Sequence, residues 1–333
     1  MQLPINAGIL GVGMAVPERV LTNADLEKIV DTSDEWIVTR TGIRERRMCA
    51  PHETTSSLSI QAARRALDHA GVLPEQLDLI ICATATGDYI WPATACIIQD
   101  KLGATRAAAF DLSAACSGFV FGLATAAGFI QSGVMRRILV VGADTLTKQV
   151  NWEDRGTCIL FGDGAGAAVL GPCPPDEGIL ASSMGTDGSG LELILLEAGG
   201  TKNPITPEAI QQKKNCIFMR GQEVYKFAVK IMGEVCLDAL CRAKLTPRDV
   251  DLFVPHQANI RIIQAAAERM GLPHERIYIN IHKYGNTSAA SVPIALTEAL
   301  QEGRVHRGDI LVFAGIGAGL TWGANVVRWS RED

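Results

Sequence analysis

Short apolar runs bounded by turn residues alternate with stretches of helical spacing along most of this 333-residue chain. Residues 8–16, 77–83, 137–143 and 161–170 have the length and composition of strands, and a helical stripe at 57–70 separates the first two. Such alternation predicts an α/β architecture with substantially parallel strands. The span 107–130 is almost wholly apolar, with Asp111 as its one charge. Its first part, 108–112, reads as a short buried strand. Residues 117–131 read as a helix apolar all round, as a helix deep in a large core would be. A membrane-crossing helix is the competing reading, but Asp111, Ser113, Ser117 and the glycines at 118, 122 and 128 divide the span into strand and helix. From 185 to 216 the chain turns polar and Gly/Pro-containing, which predicts a long surface excursion, a lid or an insertion.

The pattern also repeats. Residues 66–80 (ALDHAGVLPEQLDLI) line up without gaps on residues 239–253 (ALCRAKLTPRDVDLF). Both copies run through an apolar strand into a helix. Ile130-Gln-Ser-Gly before the 138–142 strand mirrors Leu300-Gln-Glu-Gly before the 310–315 strand. The chain therefore divides into two copies of one unit, 1–175 and 176–333, with the 185–216 excursion in the second. In this comparison Cys116 falls near Tyr284-Gly-Asn286-Thr-Ser-Ala-Ala-Ser291, and the strand ending at Thr84 corresponds to the one ending at His256. A pseudo-two-fold would bring Cys116, His256 and Asn286 to a shared centre.

Composition narrows the class. With 47% hydrophobic and 20% charged residues this is a soluble globular chain with room for two domains or one double-cored unit. A net charge of −5 argues against nucleic-acid binding by bulk electrostatics, and no Lys/Arg run suggests otherwise. The nine cysteines are an odd set with no CxxC pair, which fits a reducing cytoplasm better than a disulfide scaffold or zinc site. Residues 1–20 hold an apolar patch with no preceding basic region, a pattern unlike a signal peptide.

One cysteine stands apart. Cys116 lies where strand passes into helix, so its sulfur would meet the unpaired N–H groups and positive dipole end of the first turn. That setting is expected to lower the thiol pKa toward neutrality and make a nucleophile. The other eight cysteines read as small core hydrophobes. His256, in Val254-Pro-His256-Gln-Ala-Asn259, ends a strand, where α/β folds carry functional groups. Asn286 follows Gly285 in a tight turn and could be an N-cap or an amide donor. The other five histidines have no comparable setting.

At this point the chain resembles the β-ketoacyl-acyl carrier protein synthase III family, the condensing enzymes that start bacterial fatty-acid synthesis. The blocks that carry the resemblance run nearly end to end: Asp34-Glu-Trp36-Ile-Val-Thr-Arg40-Thr-Gly-Ile-Arg-Glu-Arg-Arg47, Ala115-Cys116-Ser-Gly, Asp154-Arg155-Gly-Thr, Phe161-Gly-Asp-Gly-Ala-Gly, His256-Gln-Ala-Asn259-Ile-Arg261, Tyr284-Gly-Asn286-Thr-Ser-Ala-Ala-Ser, and Gly317-Ala-Gly-Leu-Thr-Trp322-Gly. The resemblance implies a thiolase-like fold, two duplicated α/β halves forming a five-layered α-β-α-β-α core, and a homodimer. It implies a Cys116-His256-Asn286 triad and an oxyanion hole from the backbone N–H groups of Cys116 and Ala318. The reaction implied is decarboxylative condensation of a short acyl-coenzyme A with malonyl-acyl carrier protein. Acyl-coenzyme A is then a substrate, and no cofactor, nucleic acid or membrane is expected.

By matching positions, Thr32, Trp36, Arg40, Arg155 and Asn259 are the coenzyme A contacts, and Arg261 the carrier-protein contact. Trp91 is implied to line the partner subunit's acyl pocket. Glu268-Arg269 stands where relatives often carry a lysine pair, a departure in the carrier patch. Read without the resemblance, Trp36 is a core residue of a helix and residues 44–47 a solvated run. A secondary-metabolism synthase that loads starters, or an acyltransferase, keeps the fold and the nucleophile. A silent partner subunit is a third reading, which the intact triad opposes.

Overall fold

The computed structural model describes residues 5–332. Thirteen strands are formed among them: β1 (Asn6–Ala15), β2 (Val20–Thr22), β3 (Glu45–Arg47), β4 (Leu79–Ala83), β5 (Ala108–Leu112), β6 (Ile138–Thr145), β7 (Asp163–Cys173), β8 (Gly178–Thr186), β9 (Ile194–Leu196), β10 (Ile217–Met219), β11 (Leu252–Pro255), β12 (Ile310–Gly317) and β13 (Thr321–Arg328). Two mixed sheets carry the architecture, one ordered β1-β7-β6-β4-β5 and the other β11-β12-β13-β8. In each, the central pairs β4/β6 and β11/β12 are parallel, and the strands that follow in space run antiparallel.

The two sheets follow one plan. Strands β1, β7, β6 and β4 correspond in order to β8, β13, β12 and β11. The place of β5 is held in the second sheet by a single parallel bridge between Phe253 and Ile277. The matched prolines and aspartates have a physical explanation. Pro74 and Pro247 each open a 3-10 turn, closed by a side-chain acceptor for the residue just before it: Gln76 for Leu73 N–H (2.9 Å) and Asp249 for Thr246 N–H (2.8 Å). Asp78 then accepts from the Arg136 and Arg137 amides at the mouth of β6, as Asp251 does from the Ile310 amide that begins β12. The repeat signature is the set of side chains that fix where each central strand pair starts.

Layering follows from the period-two alternation of the strands. Leu79, Ile81, Ile138 and Val140 face one side together with Leu252, Val254, Leu311 and Phe313, around the Gly118–Gln131 and Ser291–Gln301 helices. Ile80, Cys82, Leu139 and Val141 face outward onto the Thr55–Ala70 and Thr94–Leu102 helices. Phe253, Val312 and Ala314 face the Gly221–Arg242 and Ile260–Met270 helices. The result is helix, sheet, helix, sheet, helix. Among the described residues no helix is long and apolar enough to cross a membrane.

Three expectations are corrected. The 108–112 strand forms, but it is half-exposed rather than buried, because β5 is the free edge of its sheet. The 185–216 segment is mostly exposed or half-exposed. It contains β9 and the Pro207–Gln211 helix, and β9 pairs with β10 in an antiparallel ribbon. The 44–47 run is not a solvated surface, for Arg46 is fully buried. Its guanidinium donates to the carbonyls of Leu21 and Ile159 and to Asn23 Oδ1, which ties the N-terminal segment to the centre of the molecule. Burial pulls Arg46 down to about 10, so it stays charged at neutral pH. Finally, Cys96 and Cys241 are exposed and so are not core residues; all nine cysteines are free.

Candidate active site

Cys116 emerges from the inner end of β5 through a sharp corner. Ala115 takes φ +45°, and Ala115–Ser117 forms one 3-10 turn before the Gly118–Gln131 helix begins. The second sheet presses on this corner. A Cβ on Gly317 would lie 2.7 Å from the Cys116 amide nitrogen, and one on Gly315 would lie 3.0 Å from Ser117 Cα. Only glycine lets β12 approach so closely. The approach also sets Gly317 directly against the Cys116 amide, and Ala318 follows it in the cavity wall.

The thiol behaves differently from the expectation. Burial pushes Cys116 up to about 12, and the charge of Asp144 adds to the rise. A hydrogen bond from Ser288 and the residue's own N–H work the other way without overcoming it. The end of a buried helix helps a thiolate, but desolvation without a nearby cation costs more. Asp144 was not foreseen from the sequence. It is fully buried at the end of β6, and it accepts from Ala85 N–H (2.8 Å) and the Thr86 hydroxyl (2.9 Å).

His256 follows β11. Its amide donates to the Ala314 carbonyl of β12 (2.7 Å), and its ring is 1% exposed. Burial holds the imidazole down at about 3, so it is neutral at pH 7. The next residue, Gln257, was not singled out from the sequence, yet all of its amide is used. Its Nε2 donates to the Pro255 and Tyr278 carbonyls, and its Oε1 accepts from the Asn280 and Ile281 amides. The strand end carrying His256 is thereby locked to the loop that leads to Asn286.

Asn286 is clamped by its backbone to the 160–162 segment: its N–H donates to Leu160 O, and its carbonyl accepts from Gly162 N–H. Its side-chain Oδ1 accepts from Ser288 N–H (2.8 Å). The N-cap of the following 3-10 turn is Thr287, so Asn286 closes an Asx-type turn instead, which spends its oxygen locally and leaves Nδ2 as the donor of the amide.

Cys116, His256 and Asn286 meet in one apolar cavity of about 240 Å³. Its walls include Leu195 and Leu196 of β9, Ile217 and Met219 of β10, and Val224 of the Gly221–Arg242 helix. Asn259 also lines it, and Asn259 Nδ2 donates to Arg40 O (3.0 Å), so the cavity leads toward the Asp34–Thr41 helix. Trp36 on that helix is half-buried rather than core. Two guanidinium groups lie over its ring, Arg40 at 4.6 Å and Arg155 at 4.7 Å from the centroid. Among the described residues no carboxylate pairs with Arg40 or Arg155, so both charges remain to meet an anion. Thr32 Oγ1 nearby in sequence is buried without a partner. Arg261 is exposed between Asn259 and Ile262 of the cavity wall, its guanidinium donating to Thr39 O (3.0 Å). Trp91 is not brought to this cavity; it is 83% exposed beside exposed Tyr89 and Ile90. Among the described residues no group of three or more His, Cys, Asp or Glu is arranged to hold a metal ion.

A cysteine, a neutral histidine and an amide around an apolar cavity suit acyl transfer followed by stabilisation of a developing oxyanion. Comparison with known proteins agrees. Residues 110–188 match the family model for 3-oxoacyl-[acyl-carrier-protein (ACP)] synthase III, and residues 240–329 match the model for its C-terminal part. The chain is 54% identical over 327 residues to the β-ketoacyl-[acyl-carrier-protein] synthase III of Caldanaerobacter subterraneus subsp. tengcongensis, covering 98% of this chain and 99% of that one. It is similar to the crystal structure of 3-oxoacyl-[acyl-carrier-protein] synthase III from Aquifex aeolicus, with TM-score 0.89 and 50% identity over 97% of this chain and 100% of the other. The priming β-ketosynthase of the R1128 polyketide pathway is also similar, with TM-score 0.92 and 36% identity over 100% and 99%.

Proposed function

The chain belongs to the 3-oxoacyl-[acyl-carrier-protein] synthase III family, and from that membership we propose that it condenses a short acyl-coenzyme A, acetyl-coenzyme A foremost, with malonyl-acyl carrier protein. The products are a 3-oxoacyl-acyl carrier protein, carbon dioxide and coenzyme A, and the reaction opens fatty-acid synthesis. The observation that carries the reading is the convergence of Cys116, His256 and Asn286 on one apolar cavity.

In the first half-reaction the Cys116 sulfur attacks the thioester carbonyl. A Cys–acyl bond forms, the bond to the coenzyme sulfur breaks, and the thiol proton ends on the departing coenzyme A. The amides of Cys116 and Ala318 hold the tetrahedral oxyanion. In the second, the malonyl group loses carbon dioxide and its electron pair becomes an enolate on the carrier thioester. Neutral His256 and the Asn286 amide donate to that oxygen. The enolate carbon then attacks the acyl-cysteine, and the Cys116 sulfur leaves and takes up a proton from water, which restores the thiol. Arg40, Arg155 and Trp36 receive the nucleotide end of coenzyme A, with Thr32 near the base and Asn259 along the pantetheine arm. Acyl-coenzyme A is a substrate, and the enzyme works in the cytoplasm without a cofactor of its own.

A second copy completes the molecule in this reading. The half-exposed edge β5 and the exposed Tyr89-Ile90-Trp91 loop support a homodimer, in which Trp91 closes the acyl channel of the other subunit. A monomer by light scattering would exclude it. The whole proposal is tested by weighing the intact protein after incubation with acyl-coenzyme A esters of increasing length, then adding malonyl-acyl carrier protein. Acetyl and other short adducts should form fastest and be discharged to a 3-oxoacyl product, and Trp91→Ala should admit longer chains. No adduct with any ester would overturn the proposal; an unchanged length profile would release Trp91 from the gate. The likeness to a polyketide priming synthase favours starter loading for secondary metabolism as the second reading; it predicts a preference for starters other than acetyl.

Carrier-protein docking rests on Arg261, because acyl carrier proteins are acidic and this chain is net negative. Glu268, exposed on the same helix, thins the basic patch. Arg261→Glu should raise KM for malonyl-acyl carrier protein several-fold and leave coenzyme-dependent loading nearly unchanged. Equal losses in both half-reactions would assign Arg261 to the fold or to coenzyme binding.

A further inference from the structure

The donor role of His256 depends on which ring nitrogen carries its hydrogen, and the groups around the other nitrogen decide that. His256 Nδ1 lies 2.6 Å from Ser291 Oγ, and both residues are buried. Gln257 N–H points at the same hydroxyl oxygen, at 3.3 Å. These are the contacts that the Ser291 hydroxyl makes among the described residues. An amide N–H can only donate, so Ser291 Oγ is an acceptor toward Gln257. A hydroxyl has one hydrogen, and His256 Nδ1 is the acceptor left for it. The reverse arrangement would aim two N–H groups at Oγ and leave a buried hydroxyl hydrogen unpaired, at a cost of about 1–3 kcal/mol.

We propose that Ser291 is a positioning residue that fixes His256 as the Nε2–H tautomer, with its one hydrogen turned to the reacting oxygen. The inference rests on the enolate-stabilising role proposed for His256 and sharpens it. A hydrogen already on Nε2 makes the ring a donor at the moment of decarboxylation, and it prevents the ring from acting as the base for Cys116. The partner on Nδ1 is a neutral hydroxyl rather than a carboxylate, so it selects the tautomer without drawing the ring toward the imidazolium form. Ser291 is the first residue of the Ser291–Gln301 helix, and its own N–H is held by Ser288 O, which gives the hydroxyl a fixed origin.

The test compares the full-length wild type with Ser291→Ala by three measurements: ring ¹⁵N shifts of His256, release of carbon dioxide from malonyl-acyl carrier protein, and acylation of Cys116 by intact mass. The wild type should show a protonated Nε2 and a bare Nδ1. Ser291→Ala should show a mixture of tautomers and a decarboxylation kcat lower by about 10- to 100-fold, with KM little changed and acylation of Cys116 within about twofold. The preserved acylation reports that the variant's site is folded. A wild-type ring protonated on Nδ1 would overturn the proposal, as would Ser291→Ala decarboxylating at the wild-type rate or losing both half-reactions together. Should the wild type not decarboxylate malonyl-acyl carrier protein at all, the functional reading fails, while the ring shifts still decide the tautomer.

Discussion

Cys116→Ser should form no stable acyl adduct with any acyl-coenzyme A and make no condensation product. The position remains, and the oxyanion donors remain, but the nucleophile changes from a thiol to a far weaker acid. The cavity gives such a group little help. Burial and the Asp144 charge already push the native thiol up to about 12, and the serine hydroxyl starts higher still. His256 cannot serve as a base if its ring nitrogen facing the cavity is protonated. The same environment makes a pH prediction for the wild type. A thiol raised in this way is almost wholly protonated at pH 7, so alkylation of Cys116 in the empty site should be slow there. Its rate should climb with pH without levelling off below about pH 10. A plateau near pH 7, or a wild-type level of adduct on another cysteine in Cys116→Ser, would remove Cys116 from the role.

His256→Ala and Asn286→Ala should each lose malonyl decarboxylation by about a hundredfold or more, while acyl transfer to Cys116 falls much less. The asymmetry comes from the geometry. In the proposed mechanism the loading oxyanion is met by backbone amides at Cys116 and Ala318, whereas the enolate oxygen is met by two side chains from the second half of the chain. Each side chain is held by a hydrogen bond on the atom turned away from the reacting oxygen, Asn286 Oδ1 by Ser288 N–H and His256 Nδ1 by Ser291 Oγ. Because burial holds the imidazole down at about 3, its folded-state pKa lies below the ordinary histidine value. The wild-type decarboxylation rate should therefore show no acid limb near pH 6.5 from this ring. Rates for separate half-reactions check both points. Variants that decarboxylate normally but fail to load would reverse the assignment.

Much of this was legible in the sequence, for identifiable reasons. The duplication showed because Pro74 and Pro247, and Asp78 and Asp251, do the same local work at the start of each central strand pair, and local work leaves a local signature. Cys116, His256 and Asn286 showed because each sits at the end of a strand or in a tight turn. What stayed hidden depends on partners far away in the chain. Arg46 looks like one of a solvated run until the carbonyls of Leu21 and Ile159 close around it. Asp144 reads as one more residue of an apolar strand, yet it opposes the thiolate that the helix end favours. Gln257 and Ser291 carry no pattern of their own, and their meaning comes from a histidine and a loop brought together by the fold. The edge position of β5 is likewise a property of the sheet and not of its five residues.

The middle layer has a consequence for how such a chain could have arisen. The Gly118–Gln131 and Ser291–Gln301 helices share one core, and the inner faces of both sheets close upon it. A single ancestral half, standing alone, would bare the whole of that apolar face to water. It could have been soluble only as a pair, with a symmetric centre where two identical corners met. Joining two such units in one chain would release that symmetry. One corner could then keep a sulfur while the other carried hydrogen-bond donors, so that one cavity would serve two chemically unlike half-reactions.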